Sequence, residues 1–511
     1  MIYLIHENNI VVEVLDDIHQ EIAFDISLSL TKTLFILAEK FPEELIIWCH
    51  KDYFTLINTT ELSNIFHHDY IMASYSMSNE TYINQKIGYV DQSIFVNIKY
   101  NVTYPTWLMS SDVGGISSSF LLSILGQIEK GSDFNYFLNS LGKLAMPKGL
   151  FCYSEPRIIN EKIEPSGTKN KASIFLMFRF VKEHYKWFWT WFLFIILFLN
   201  EKELKVLPFL SSIRFKKLNL NFDKNQIRSK KKIIINKELD VIIPTIGRKN
   251  YLHNVLLDLS KQTILPASVI IVEQNPISKS ISELDYLDNQ QWPFKIKHIF
   301  THQTGACNAR NSALDLVESE WIFFADDDIK LPDNFIQFAV EFMVKSRISA
   351  ASLQCRQPNE KSMKLKFGQW GGFGSGSSIV NTSALKDLKF DTNYEHGFGE
   401  DSDFGMQLRN SGTDIFYLPK PEIRHLKAPS GGYRTKFKQP WDADSIKPKP
   451  SPTVLLFHKK HSTPEQLLGY KGILFLKFYR VQAIWNPLTY YRTFKRQWQL
   501  SNYWASMLLK K

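Results

Sequence analysis

WIFFADDD, residues 321–328, is an apolar run that stops on three consecutive acids. Five uncharged residues in succession read as a strand buried on both faces. The acids at its end repel one another, so a cation or a set of hydrogen-bond donors has to offset them. In an extended segment Asp326 and Asp328 project together, a spacing that lets two carboxylates reach one hard cation such as Mg²⁺ or Mn²⁺. The same acids also suit the start of a helix near LPDNF, where Asp333 would sit in the first turn. Both readings of the triplet stand at this point.

Outward from the triplet, the chain alternates. LDVIIP (239–244) is a buried strand, and Leu252, Val255, Leu256 and Leu259 then share one helical face. ASVIIVEQN (267–275) and FKIKHIF (294–300) are further strands, and a helix spans Cys307 to Glu318 before WIFFA. Strands separated by helices predict a mainly parallel sheet covered on both faces, with ligands gathered beyond the strand C-termini. Pro244, Thr245 and Arg248 follow the first strand, and Glu273 ends the second. Downstream, GFGEDSDFGMQLRNSG (397–412) sets glycines before an acidic helix start at Glu400 and Asp401. Those acids suit either a helix dipole or a proton-accepting role. WGGFGSGSSIV (370–380) is either a tight structural loop around a core Trp370 or one wall of a binding surface, where Gly371 and Gly372 allow close backbone approach. Cys307 has no neighbouring base pattern and reads as a packed thiol.

Taken in order, DVIIPTIGRKNYLHNVLLDLSKQ, VIIVEQN, TGACNARNSALD, FFADDD, WGGFGSGSSIV and GFGEDSDFGMQLRNSG make residues 239 to about 430 resemble a family 2 glycosyltransferase of the GT-A fold. The resemblance implies an inverting enzyme that uses a nucleotide-diphospho sugar and Mn²⁺ or Mg²⁺. It makes Pro244, Thr245 and Glu273 base- and ribose-facing, brings Arg248 and Arg310 toward the nucleotide, and sets Asp326 and Asp327 at the donor. Asp328 would be the principal metal ligand, with Asp326 and His425 beside it. Asp401 would be the catalytic base and Glu400 its supporting neighbour. Relatives commonly carry an acidic pair where this chain has Glu273 and Gln274, a departure at the ribose contact. A non-catalytic sugar-nucleotide-binding scaffold is the alternative.

The expected divisions are an N-terminal α/β domain at 1–155, a helical linker at 156–235, the catalytic domain at 236–440 and a helical extension at 441–511. WLMSSDVGGISSSFLLSIL (107–125) echoes the glycine-rich segment after Trp370, so the first domain reads as a degenerate GT-A-like unit without an acidic triplet. Within the linker, Trp187 to Leu199 is uninterruptedly apolar. At about 20 Å as a helix it falls short of roughly 30 Å of hydrocarbon, leaving a buried helix or a shallow membrane element. Residues 471–511 hold eight Lys or Arg, no acid and ten aromatics, which suits an anionic membrane surface better than nucleic acid. The net charge of +10 fits anionic partners. Four cysteines without ligand or framework spacing, and no basic-then-apolar leader, predict a cytoplasmic protein. These features together predict peripheral attachment to the inner face of the membrane and a saccharide or lipid-linked saccharide as acceptor.

Overall fold

The computed structural model describes residues 1–128, 131, 133–161, 171–222, 227, 229–230, 238–361, 366–429 and 437–510. Parts of the expected linker (161–172) and of the basic connector (213–232), and Ser430 to Gly432 after His425, lie outside the described residues. The chain divides into two compact units. The first comprises residues 1–232 and 462–476, the second 233–461 and 477–511.

Seven strands build the sheet of the first unit: β1 (Ile2–Glu7), β2 (Ile10–Leu15), β3 (Leu45–His50), β4 (Ile71–Tyr75), β5 (Tyr104–Pro105), β6 (Val113–Ser117) and β7 (Phe151–Ser154). Their spatial order is β2-β1-β3-β6-β4-β7-β5. Helices α1 (Leu30–Lys40), α2 (Thr59–Ile65), α3 (Ser118–Ser123) and α4 (Phe134–Ala145) accompany it. The expected boundary at residue 155 is not a boundary of packing. Helices α5 (Ile174–His184), α6 (Trp187–Glu201) and α7 (Val206–Ser212) put Phe178, Phe180, Leu193, Leu197 and Phe209 into the same core as Leu34, Trp107 and Leu138. Their apolar faces need that core, so the segment is part of the unit and not a linker.

In the second unit, β8 (Leu239–Thr245), β9 (Ser268–Gln274), β10 (Lys295–Thr301) and β11 (Trp321–Ala325) run parallel in the order β10-β9-β8-β11. β12 (Ile329–Lys330), β13 (Ala350–Arg356), β14 (Gly368–Gln369), β15 (Ser377–Asn381) and β16 (Phe416–His425) complete the sheet as β11-β15-β13-β16-β12, with β14 on β16. β15 is antiparallel to both neighbours, so the expected parallel sheet becomes mixed beyond the acidic triplet. Helices α8 (Lys249–Ser260), α9 (Tyr286–Asn289), α10 (Ala306–Leu314), α11 (Phe335–Ser346), α12 (Glu400–Asn410), α13 (Pro452–His461) and α15 (Pro487–Leu508) follow, while α14 (Pro464–Tyr479), between the last two in the chain, falls mostly in the first unit. Leu252, Val255, Leu256 and Leu259 are the buried residues of α8, the face set by their spacing. Asp240, fully buried in β8, accepts from the backbone N–H and hydroxyl of both Ser268 and Ser319 and from Glu318 N. That satisfies the carboxylate and ties the start of β9 and the α10–β11 loop to β8. α15 packs on α13, and its buried residues are Tyr490, Phe494, Ser501 and Ala505.

One sub-pattern occurs in both sheets. β1-β3-β6-β4-β7 pair as parallel, antiparallel, antiparallel, parallel, and so do β8-β11-β15-β13-β16. The chain order of these five strands is the same in each. Cys49 pairs with Val113 where Ala325 pairs with Ser377, so His50, Lys51 and Asp52 take the positions of Asp326, Asp327 and Asp328. The helix before the last strand is followed in each unit by a left-handed glycine, Gly149 and Gly412. The two echoing tryptophan segments lead into the equivalent strands β6 and β15.

Candidate active site

The acidic triplet opens into a cleft of about 740 Å³ at the C-terminal ends of β8, β9 and β11. Pro244, Thr245, Arg248, Arg310 and all three acids line it, together with His425. The three carboxylates fan apart: Asp326 faces Arg310, Asp327 faces Arg248, and Asp328 lies between Arg248 and His425.

Asp326 points toward Arg310, whose Nη2 lies 3.6 Å from Oδ1. Its other face rests on Gly376, where a Cβ would lie 2.1 Å from Oδ2. Enclosure raises its pKa, opposed by Arg310 and reinforced by Asp328, although 37 % of the side chain is open to solvent, which moderates the shift. Asp327 turns to β8. It accepts from Thr245 Oγ1 at 2.6 Å and Arg248 Nη1 at 2.7 Å, and burial lifts its pKa to about 6 against those two donors.

Asp328 is buried and faces β16. Its Oδ2 accepts from Ala428 N at 2.8 Å and lies 3.3 Å from Arg248 Nη1, and its Oδ1 is 3.1 Å from His425 Nε2. Burial alone would raise its pKa, but His425, the Ala428 N–H and Arg248 prevail and hold it low. The hydrogen bond to Asp328 in turn raises His425. One ligand atom from each of Asp326, Asp328 and His425 falls within 4.8 Å of the others. Two oxygen donors and one imidazole nitrogen suit Mn²⁺ or Mg²⁺, so the residues present fit the cation that the resemblance implies. Antiparallel pairing of Ile329 with His425 brings the histidine beside the triplet across nearly one hundred residues of chain.

Glu400 and Asp401 begin α12 but are not among the residues lining the cleft. Asp401 accepts a short hydrogen bond from the buried Ser375 hydroxyl. Burial and the adjacent Asp401 push Glu400 up to about 7, against the backbone N–H groups of Gly399 and Glu400 itself. Asp403, on the far side of the same turn, is held by His461 Nε2 at 2.7 Å and Tyr394 OH at 3.1 Å. A Cβ at the flanking Gly397 would strike Thr453, and one at Gly399 would crowd the Tyr394 ring.

Other expected residues lie elsewhere. Glu273 is buried and accepts from Ser282 Oγ, Glu283 N and His298, while its neighbour Gln274 lines the cleft. Successive strand residues face opposite sides, so only one of the pair can do so. Trp370 packs on Tyr417, and Arg409 Nη2 pins the carbonyls of Trp370 and Gly372 at 2.6 and 3.1 Å. Trp370, Gly371 and Gly372 are not among the cleft-lining residues. Burial pushes the Cys307 thiol up, in keeping with a packed residue.

Three features carry no signal in the sequence. Gln274 clasps Gly305 through both ends of its amide, accepting from Gly305 N and donating to Gly305 O. Glu395 caps α10 by accepting from Cys307 N and Asn308 N, and Gly305 at φ 138° leaves room for that carboxylate. His396 and Phe437 stack at 4.0 Å along the cleft wall.

The family model described as Glycosyl transferase family 2 matches residues 240–398. A search of the curated proteins finds no match. Among solved structures, the chain is similar to S. aureus TarS at 19 % identity and TM-score 0.31, covering 38 % of this chain and 37 % of that chain. TarS 1–349 in complex with UDP-GlcNAc gives 17 % and 0.33, covering 51 % of this chain and 71 % of that one. The mannosyltransferase PcManGT from Pyrobaculum calidifontis, in complex with GDP-Man and Mn²⁺, gives 14 % and 0.29, covering 53 % and 73 %. The matched part spans little more than a third of full-length TarS. With the family match running from β8 through β15 and taking in the acidic triplet, residues 240–398 form a family 2 glycosyltransferase domain of the GT-A fold.

Proposed function

We propose that this glycosyltransferase is metal-dependent and inverting, moving a sugar from a nucleotide-diphospho donor to a hydroxyl of a saccharide or lipid-linked saccharide. The observation that carries the reading is the convergence of Asp326, Asp328 and His425 within 4.8 Å at the end of β11. When bound there, Mn²⁺ or Mg²⁺ supplies positive charge where the departing diphosphate gathers negative charge. Arg248 and Arg310 add fixed charge to the same wall. Thr245 and Pro244, at the end of β8, border the space assigned to the nucleoside, and Gln274 replaces Glu273 as the side chain facing it.

Asp401 is the base in this reading. The Ser375 hydroxyl orients its carboxylate, which accepts the proton as the acceptor oxygen attacks the face of the sugar opposite the leaving group. Glu400, close to half-protonated at neutral pH, limits the repulsion beside it. Inversion follows from a single displacement.

The first unit is read as a degenerate GT-A copy, supported by the shared order of five strands, with His50-Lys51-Asp52 in place of the triplet. Peripheral attachment at the inner face of the membrane is supported by basic and aromatic residues 471–511, in which Trp485 is 91 % exposed. Among the described residues no helix is long and apolar enough to cross a membrane.

The test is donor screening with purified protein and Mn²⁺ or Mg²⁺, alongside two variants. Asp328→Ala abolishes metal-dependent turnover, and Asp401→Asn keeps donor affinity while suppressing transfer. Normal turnover in both variants refutes the site, and donor binding without any transfer in the unaltered protein favours a sugar-nucleotide-binding scaffold.

A further inference from the structure

We propose that the outward faces of α6 and α7 form a docking surface that lies in the headgroup region of an anionic bilayer. In α6 the stripe Thr190, Leu193, Ile196 and Leu197 is buried in the core of the first unit. On the other side Trp187, Phe188, Trp191, Ile195, Phe198 and Leu199 are exposed, Trp187 by 67 %. Their spacing follows the helical repeat, so they form one stripe, and no charged residue interrupts α6 between Lys186 and Glu201. A helix apolar all round is expected to have both sides covered, and here the protein covers one.

α7 continues the surface. Val206, Leu207 and Leu210 are exposed, as is Ile213 just after it, with Leu207 at 70 %, while Pro208, Phe209 and Ser212 are buried. The Phe209 ring lies 4.4 Å from Trp191 and 5.0 Å from Phe194, so α7 packs beside the exposed stripe of α6. An exposed apolar surface of this extent marks an interaction site.

The charge around it identifies the occupant. Lys186 precedes α6, Lys202 follows it, and exposed Arg214, Lys216 and Lys217 follow α7. The two acids of this stretch, Glu201 and Glu203, are both engaged by Lys86, and Glu203 also by Lys205. A rim of net positive charge around tryptophan, phenylalanine and leucine is complementary to anionic headgroups over acyl chains. The buried stripe holds α6 against its own unit, so the helix lies along the surface and does not span. This assignment rests on the first unit alone and needs no statement about the transfer reaction.

Co-sedimentation of the full-length protein, without donor or acceptor, with vesicles of phosphatidylglycerol plus phosphatidylcholine and of phosphatidylcholine alone tests it. Trp187→Ser/Trp191→Ser/Leu207→Ser is expected to weaken binding to the anionic vesicles by at least about tenfold. Lys216→Glu/Lys217→Glu is expected to lose roughly tenfold on anionic vesicles and little on neutral ones. Arg492→Ala/Lys495→Ala/Arg496→Ala, in α15, is expected to lose less than the triple variant. Hydrogen exchange is expected to slow at 187–213 on vesicles, a readout that needs no variant. Unchanged binding by both the triple and the double variant overturns the proposal. So does sedimentation velocity without lipid showing a dimer that the triple variant dissolves, which would make the surface a contact between copies.

Discussion

Gly376→Ala isolates the contribution of Asp326 without touching a charged group. The added Cβ would lie 2.1 Å from Oδ2, 2.3 Å from Cγ and 2.5 Å from Oδ1 of Asp326, where ordinary contact begins at 3.4 Å. The carboxylate therefore has to retreat by roughly 1 Å or more, whereas metal–ligand distances tolerate only about 0.2 Å. Because the obstacle is the end of a side chain, relief comes by rotation of Asp326 while the strand stays in place. Melting temperature is expected to change by no more than about 2 °C. The Mn²⁺ concentration for half-maximal turnover is expected to rise on the order of 10- to 100-fold, as when a supporting contact of a ligand is lost. That range corresponds to about 1.4–2.7 kcal/mol of binding free energy. A metal titration of turnover, paired with calorimetric Mn²⁺ binding, measures it. If Gly376→Ala leaves both titrations unchanged while Asp328→Ala abolishes them, Asp326 is not a ligand and the three-residue site is wrong.

Further consequences are open to measurement. Glu400 is protonated up to about pH 7 in the folded chain but ionises near its ordinary value when unfolded, so its contribution to stability declines as pH rises between those values. Glu400→Gln is accordingly expected to melt higher than the parent at pH 8, with the difference gone near pH 4; an equal difference at both refutes the assignment. Asp403→Ala leaves His461 and Tyr394 without their buried partner and is expected to cost about 3 kcal/mol in urea unfolding, with a loss below about 1 kcal/mol refuting it. Asp52→Asn, at the position equivalent to Asp328, is expected to leave the Mn²⁺ dependence of transfer unchanged, and any shift assigns the first unit a metal role.

What could be read beforehand was what depends on neighbours in the chain. The apolar face of α8, the strands ending at Thr245 and Ala325, and the acids that follow them all declare themselves within a few residues. His425 came from the ordered resemblance, since its pairing with Ile329 is invisible to any local pattern. Glu273 and Gln274 show the limit of such reading: the motif marked the strand end, but the pleat decided which residue faces the cleft. Gln274, Glu395 and the His396–Phe437 stack act through contacts with residues distant in sequence or through loop conformation, and nothing in their own surroundings marks them. The same holds for Trp370, whose place was decided by Arg409 reaching back from α12. The largest departure lies at 174–212, where the apolar run declared a helix but not which core would take its inner face.

The return of residues 462–476 to the first unit bears on how the protein is made. Gln466 of that segment donates to the carbonyls of Asp91 and Ser93, and Gly469 sits so close to Tyr89 that a Cβ would come within 2.4 Å of its carbonyl oxygen. A ribosome that has released residue 232 must add roughly 230 more before this piece emerges, about 10–50 s at ordinary elongation rates. During that interval the nascent first unit exposes the surface around Tyr89 and Asp91, and the unit that began first cannot close until residues 233–461 of the second have been made.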